Sequence, residues 1–150
     1  MLRIRPFSLS DLDSILQIES QSFPKSPYDW TTFLNLHTLY PETFLVYVST
    51  NQGQKEEEIG GYIIFTQEGH IISIAVHPHY RRQGIGAQLL QRAMKTPRLK
   101  KVWAEVRRGN QGAQAFYAKL GFQITGSIPN YYGNEDALIV QWTPVAHESY

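Results

Sequence analysis

Between Ile74 and Leu90 the chain passes from an apolar strand, through a Pro turn, into the run Arg81-Arg82-Gln83-Gly84-Ile85-Gly86 and then directly into an amphipathic helix. From Ile85 to Pro97 the apolar positions Ile85, Leu89, Leu90, Ala93 and Met94 fall on one helical stripe, so this helix has to pack back onto the sheet that supplies the strand. The connecting loop suits a pyrophosphate. Gly84 and Gly86 carry no Cβ, so oxygens can approach the backbone closely, and the unpaired amides of the first helical turn point at them. The helix dipole adds roughly half a positive charge at that end. Arg81 and Arg82 bring two guanidinium groups whose geometry matches phosphate oxygens. The plainer alternative is a tight strand-to-helix connection, and many nucleotide-bearing cofactors would use such a loop.

The rest of the chain supplies the layers around that unit. Leu2, Ile4 and Phe7 suggest a first strand, and Ser10 or Asp11 can cap a helix whose face is Leu12, Ile15, Leu16 and Ile18. Phe23-Pro24-Lys25-Ser26-Pro27 ends it; Trp30, Phe33, Leu34 and His37 then recur at helical spacing until Tyr40-Pro41. Strands are expected from Phe44 to Val48 and from Gly61 to Thr66, joined by a polar hairpin loop from Asn51 to Glu58. His70 to Val76 is almost continuously apolar, as for a strand buried on both faces. Val102, Ala104 and Val106 alternate with Trp103, Glu105 and Arg107 as a half-buried strand, after which Ala113, Phe116, Tyr117 and Leu120 mark a helix that Gly121 stops. Two last strands, Phe122 to Ile128 and Ala137 to Trp142, flank a loop from Pro129 to Glu135. This order is not a regular βαβ alternation; it predicts a mixed α+β domain with a central sheet of about seven strands and about four helices. Residues 1–143 form one domain in this reading, with 144–150 as a tail.

Bulk composition removes several function classes. Net charge is +1 with acidic and basic residues interspersed, so nothing argues for nucleic-acid binding; Arg98, Lys100, Lys101, Arg107 and Arg108 lack the aromatic interleaving of such a motif. There is no cysteine, which excludes disulfides, thiolate-ligated metals and a thiol nucleophile. His77 and His79 flank Pro78 without a carboxylate pattern, so no metal site is expected. No apolar run is long enough to span a bilayer, and we expect a soluble cytoplasmic protein, a monomer or weak homodimer, with no membrane partner.

The loop excludes two familiar phosphate motifs. Leu89 occupies the third glycine position of the dinucleotide fingerprint, and no Gly-Lys-Ser/Thr follows as a Walker loop would need. Arg81-Arg82-Gln83-Gly84-Ile85-Gly86 instead resembles the first signature of the GNAT acetyltransferases. Asn110, Ala113, Phe116-Tyr117 and Leu120-Gly121-Phe122 resemble the second. Ser22-Phe23-Pro24, Ile74-Ala-Val-His-Pro78, Glu105-Val-Arg-Arg108 and Asn130-Tyr-Tyr-Gly-Asn-Glu-Asp-Ala137 extend the likeness to the RimI-like and archaeal N-terminal acetyltransferases, up to about Trp142. The resemblance implies the GNAT acyl-CoA N-acyltransferase fold and acetyl-CoA as cofactor. Its pyrophosphate would lie on the amides of Arg82, Gln83, Gly84, Ile85, Gly86 and Ala87, beside Arg81. Its pantetheine would pair with the backbone of Ile74, Ala75 and Val76, and Asn110 would bond it further along. The plainer alternative for Asn110 is a turn residue before a helix that satisfies the backbone locally.

Amide formation from a thioester needs a neutral amine, a polarised carbonyl and a proton for the departing thiolate. Reference pKa values leave about a tenth of an α-amine neutral at pH 7 but only about 0.04% of a lysine, a gap of about 3 kcal/mol that favours α-amine acceptors unless a site depresses the lysine. By resemblance, Glu105 is the general base and Tyr117 the general acid at the sulfur, with a backbone amide near Val76 polarising the carbonyl. The plain alternatives are a Glu105–Arg107 ion pair along one strand face and a core tyrosine with a satisfied hydroxyl. Phe23-Pro24 and Tyr131-Tyr132 resemble the elements that fold over a peptide N-terminus; in isolation such a Tyr pair reads as surface. The expected activity is transfer to a protein or peptide N-terminal α-amine, a ribosomal protein among the candidate acceptors. The alternatives are the same chemistry on a lysine or small amine, and a non-catalytic acyl-CoA sensor.

Overall fold

The computed structural model describes residues 2–49 and 57–144, the side chains of Leu2 and Arg3 excepted. Most of the Asn51 to Glu58 loop and all of the tail after Pro144 therefore lie outside the described residues. The elements run β1 (Leu2–Pro6), α1 (Leu12–Ser22), α2 (Trp30–Leu39), β2 (Phe44–Ser49), β3 (Glu58–Phe65), β4 (Ile71–Val76), α3 (Ile85–Met94), β5 (Val102–Arg107), α4 (Gln111–Lys119), β6 (Gln123–Ile128) and β7 (Ala137–Trp142).

The seven strands make two antiparallel sheets, β1-β2-β3-β4 and β5-β7-β6, so the single central sheet expected from the sequence is divided. Their junction is one parallel bridge between His70 and Trp103. Glycine is required at that junction. Gly69 adopts φ +103°, its carbonyl accepts from Trp103 N at 3.0 Å, and a Cβ there would lie 2.0 Å from the Lys101 carbonyl oxygen.

Period-two patterning distributes β2 and β3 between two cores. Phe44, Val46 and Val48 with Tyr62 and Ile64 face α1 and α2, where they meet Ile15, Ile18 and Phe33. Leu45, Tyr47, Ile63 and Phe65 face the opposite side, against Ile85, Leu89, Leu90 and Ala93 of α3. That cluster continues through Val102, Ala104 and Val106 to Tyr117, Phe122 and Val140, so one core spans both sheets. Removing a buried Leu such as Leu89 from it would cost about 2–5 kcal/mol.

β4 departs from the sequence expectation in part. Ile71, Ser73 and Ala75 are buried, whereas Ile72, Ile74 and Val76 are only partly covered and line the cleft, although β4 packs into a core on each face of the sheet. Helix α1 is entered differently as well. A 3-10 turn, Leu9–Asp11, precedes it, and the Asp11 carboxylate turns back to accept from Arg5 at 2.8 and 2.9 Å and from Ser8 N at 2.9 Å. Asp29 caps α2 by accepting from Thr32 N at 2.9 Å.

Candidate active site

Beyond the His70–Trp103 bridge the strands β4 and β5 separate, and a cleft of about 890 Å³ opens between them. The backbone of Ile74, Ala75 and Val76 forms one wall with its unpaired edge, and Ala104 to Arg107 forms the other. Gly86, Asn110 and Tyr117 close one end; Phe23, Pro24, Tyr28, Tyr131 and Tyr132 line the other.

At the first end, α3 begins at Gly84, which takes φ +78° with nothing within 4 Å of its missing Cβ. Gln88 N is paired with the Gly84 carbonyl at 3.0 Å, leaving the amides of Ile85, Gly86 and Ala87 without intrahelical partners. A Cβ on Gly86 would lie 3.2 Å from the Phe116 ring and 3.5 Å from Val76, so the helix approaches the cleft wall only because this residue is glycine. The Ile85 side chain points away and is buried over Gly60 and Gly61; only its backbone faces the loop. Arg82 itself has φ +64°. Arg81 Nε donates to the Val76 carbonyl at 3.4 Å, and Gln83 Nε2 to that of His79 at 3.4 Å. Neither Arg81 nor Arg82 enters an ion pair among the described residues. Asn110 Oδ1 accepts from Ala113 N at 3.0 Å and caps α4, so the turn role read from sequence holds, yet Asn110 also lines the cleft, its amide nitrogen without a partner among the described residues. Free amides, a helix N-terminus and two unpaired guanidinium groups fit a diphosphate-bearing cofactor.

Glu105 occupies the middle of the cleft. It does not pair with Arg107, which instead binds Glu135 at 3.1 Å. The partner of Glu105 is His70, 35 residues earlier, whose Nε2 lies 2.7 and 3.0 Å from the two carboxylate oxygens. Because a carboxylate accepts, this geometry puts the proton on Nε2. The His70 ring is stacked on Trp103 with centroids 5.0 Å apart, and Lys101 Nζ lies 4.7 Å from the Trp103 ring. Tyr131 adds a longer hydroxyl contact to Glu105 Oε1 at 3.5 Å. His70 carries no sequence signal for this role, because only the parallel bridge brings it to Glu105.

Tyr117 is 5% exposed between Phe116 and Phe122, at 5.2 Å from each ring, and its hydroxyl has no hydrogen-bond partner among the described residues. Burial, reinforced by the nearby Glu105 and Tyr132, raises its phenol well above the ordinary range. Tyr132 is pushed up to about 12, first by burial and then by Tyr131, with Arg107 opposing. Its ring packs 4.1 Å from the Arg107 guanidinium and edge-on to Tyr131 at 4.9 Å.

Tyr28, not singled out from sequence, joins these phenols; burial, then the charges of Glu19, Tyr131 and Glu105, hold its pKa up. It is positioned by Glu19, a carboxylate 2% exposed on the apolar face of α1, which accepts from Tyr28 N at 3.0 Å and from the Tyr62 hydroxyl. Burial raises the Glu19 pKa against those two bonds. His77 and His79 lie outside the cleft lining, and among the described residues no cluster of metal-ligating side chains exists.

Residues 12–122 match the model of the acetyltransferase (GNAT) family. The chain belongs to that family. Among its GNAT relatives, the N-alpha-acetyltransferase of Sulfurisphaera tokodaii is 32% identical over 92% of this chain and 90% of its own length. Ard1 from Thermoplasma volcanium superposes with a TM-score of 0.82 at 30% identity, covering 96% of this chain and 98% of that one. The ribosomal-protein-S18-alanine N-acetyltransferase from Escherichia coli gives a TM-score of 0.75 at 28% identity over 100% and 99% of the two chains. As a GNAT enzyme the protein uses acetyl-CoA as its acyl donor. No helix among the described residues is long and apolar enough to cross a membrane.

Proposed function

We propose that this enzyme transfers acetyl directly, in a ternary complex, from acetyl-CoA to the N-terminal α-amine of a protein or peptide. The observation that carries the reading is Glu105 in mid-cleft, backed by His70 and close enough to the buried Tyr117 to raise its pKa. The backbone from Arg82 to Ala87, with Arg81 and Arg82 as counter-charges, would hold the pyrophosphate, the free edge of Ile74, Ala75 and Val76 would hold the pantetheine, and Asn110 Nδ2 would donate to the cofactor. The bound cofactor supplies the thioester carbonyl that the amine attacks.

Glu105 accepts the proton of the α-ammonium, directly or through one water. His70 fixes the carboxylate through Nε2–H, leaving the other lone pairs of Glu105 to face the amine in the cleft. Burial holds the Tyr117 phenol above its ordinary range, which favours the protonated form. With a pKa above that of a thiol, it stabilises the leaving sulfur by a hydrogen bond rather than by complete proton transfer. Phe23, Pro24, Tyr131 and Tyr132, joined by Tyr28, form a narrow aromatic slot able to bond extended peptide backbone. The names of the Sulfurisphaera and Escherichia relatives support an α-amine acceptor, with a ribosomal protein among the candidates. A library of peptides with free and blocked N-termini, incubated with acetyl-CoA and read by mass, tests this. Acetyl on free α-amines is expected; acetyl only on lysines of blocked peptides would reject the acceptor.

A further inference from the structure

We infer that the Glu135 carboxylate couples the two ends of the cleft, so that a cofactor bound at the Asn110 turn orders the loop carrying Tyr131 and Tyr132. The inference rests on the cofactor placement proposed above, and on the acceptor assignment for its catalytic consequence. Glu135 closes the loop between β6 and β7, yet both its oxygens bind elsewhere. Oε1 accepts from Arg107 Nη1 at 3.1 Å at the end of β5, and Oε2 accepts from Gly109 N at 2.9 Å in the turn before α4. A Cβ at position 109 would lie 2.8 Å from Oε2, so the turn admits this carboxylate because it is glycine. The next residue is Asn110, which lines the cofactor end.

The same carboxylate's residue organises the loop from within. Tyr132 N donates to the Glu135 carbonyl at 3.1 Å, and the Tyr132 ring lies 4.1 Å from the guanidinium that Glu135 binds. Asp136 adds a weaker strap, accepting from Asn130 N at 3.0 Å and facing Arg108 Nε at 3.5 Å. Tyr131 is half-exposed and Gly133 turns at φ +90°, so the tip of the loop has little apolar packing to hold it. Segments held by few exposed polar contacts open at low cost, and whatever immobilises their anchor orders them. Binding that fixes Asn110 immobilises the Gly109 peptide and thereby the Glu135 anchor. Coupling of this kind is reciprocal, so an ordered acceptor loop also favours cofactor binding.

Amide hydrogen exchange with and without CoA, on the wild type, Glu135→Gln and Glu135→Ala, tests the coupling without any acceptor. CoA should slow exchange both near Gly84 to Gln88 and at Tyr131 to Gly133 in the wild type, the latter by at least about fivefold. In Glu135→Ala the protection near Gly84 should persist, showing a folded, loaded protein, while that at Tyr131 to Gly133 is lost. Glu135→Gln, keeping one acceptor oxygen, should fall between. Equal loop protection in wild type and Glu135→Ala, or none in the wild type, overturns the coupling. With a peptide acceptor, Glu135→Ala should raise the peptide KM about tenfold at saturating acetyl-CoA and, by the same reciprocity, weaken acetyl-CoA at saturating peptide, while CoA affinity measured without peptide stays within about twofold. An unchanged peptide KM would remove the catalytic consequence, whereas a wild type that acetylates no free N-terminus would refute the acceptor assignment and leave the exchange result to decide the coupling.

Discussion

Glu105 and Tyr117 are assigned opposite proton roles, and their surroundings differ accordingly. Glu105 is bonded by His70 and reaches the cleft, while Tyr117 is enclosed by Phe116 and Phe122. Glu105→Gln keeps the shape and the contact with His70 but loses the base, so kcat should fall by about 10²–10⁴, measured as CoA thiol release with a saturating peptide. Tyr117→Phe should lower kcat by about tenfold or more at unchanged acetyl-CoA affinity, because only the donor to sulfur is removed. The raised phenols also bear on stability. In the unfolded chain a tyrosine ionises near pH 10, while folded Tyr132 keeps its proton up to about 12 and Tyr117 holds its own more tightly still. The native state then binds more protons than the unfolded one, so stability falls as pH rises from about 10. Chemical denaturation at pH 8, 9, 10 and 11 should show that decline, with a smaller slope in Tyr132→Phe than in the wild type; equal slopes would detach Tyr132 from it.

The cleft exists because two elements part. β4 and β5 touch at His70 and Trp103 and nowhere form a ladder, and the turn that starts this geometry needs Gly69. Gly69→Ala combines a positive φ with a Cβ 2.0 Å from a backbone oxygen, so the backbone itself must move. A loss of at least about 3 kcal/mol is expected in urea unfolding, with any folded remainder showing weakened acetyl transfer because Glu105 loses register with His70. Gly84→Ala is a milder change of the other kind: its Cβ would meet nothing, so its cost of about 1 kcal/mol comes from φ +78° alone. Helical stripes and the period-two pattern of β5 were legible in the sequence because one-sided burial repeats along each element. β4 has a core on each face, as read, but its apolar composition could not show that Ile72, Ile74 and Val76 stay partly open to the cleft.

Across the whole molecule, the core linking α3 to both sheets sets the cofactor end against the catalytic wall, so ligand binding should stabilise the fold as a unit. Saturation with CoA at about 100 times Kd adds about 2.7 kcal/mol, equivalent to a Tm rise of about 5–10 °C for a chain of this size. Arg82→Ala should reduce that rise at equal CoA concentration; the same rise in both would remove Arg82 from the site. The sequence by itself determined what is local or repeated: the Gly84 and Gly86 loop opening α3, the alternating faces of β5, and the motifs that mark a GNAT domain; it also offered the turn role of Asn110. These depend on backbone conformation and side-chain period within a few residues. Only the tertiary structure decided which groups meet across long separations: His70 with Glu105 rather than Arg107, Arg107 with Glu135, and Tyr28 held by Glu19 beside Tyr131. Such pairings follow from where the two sheets join and where they part, and that division is set by packing of the whole chain rather than by any one segment.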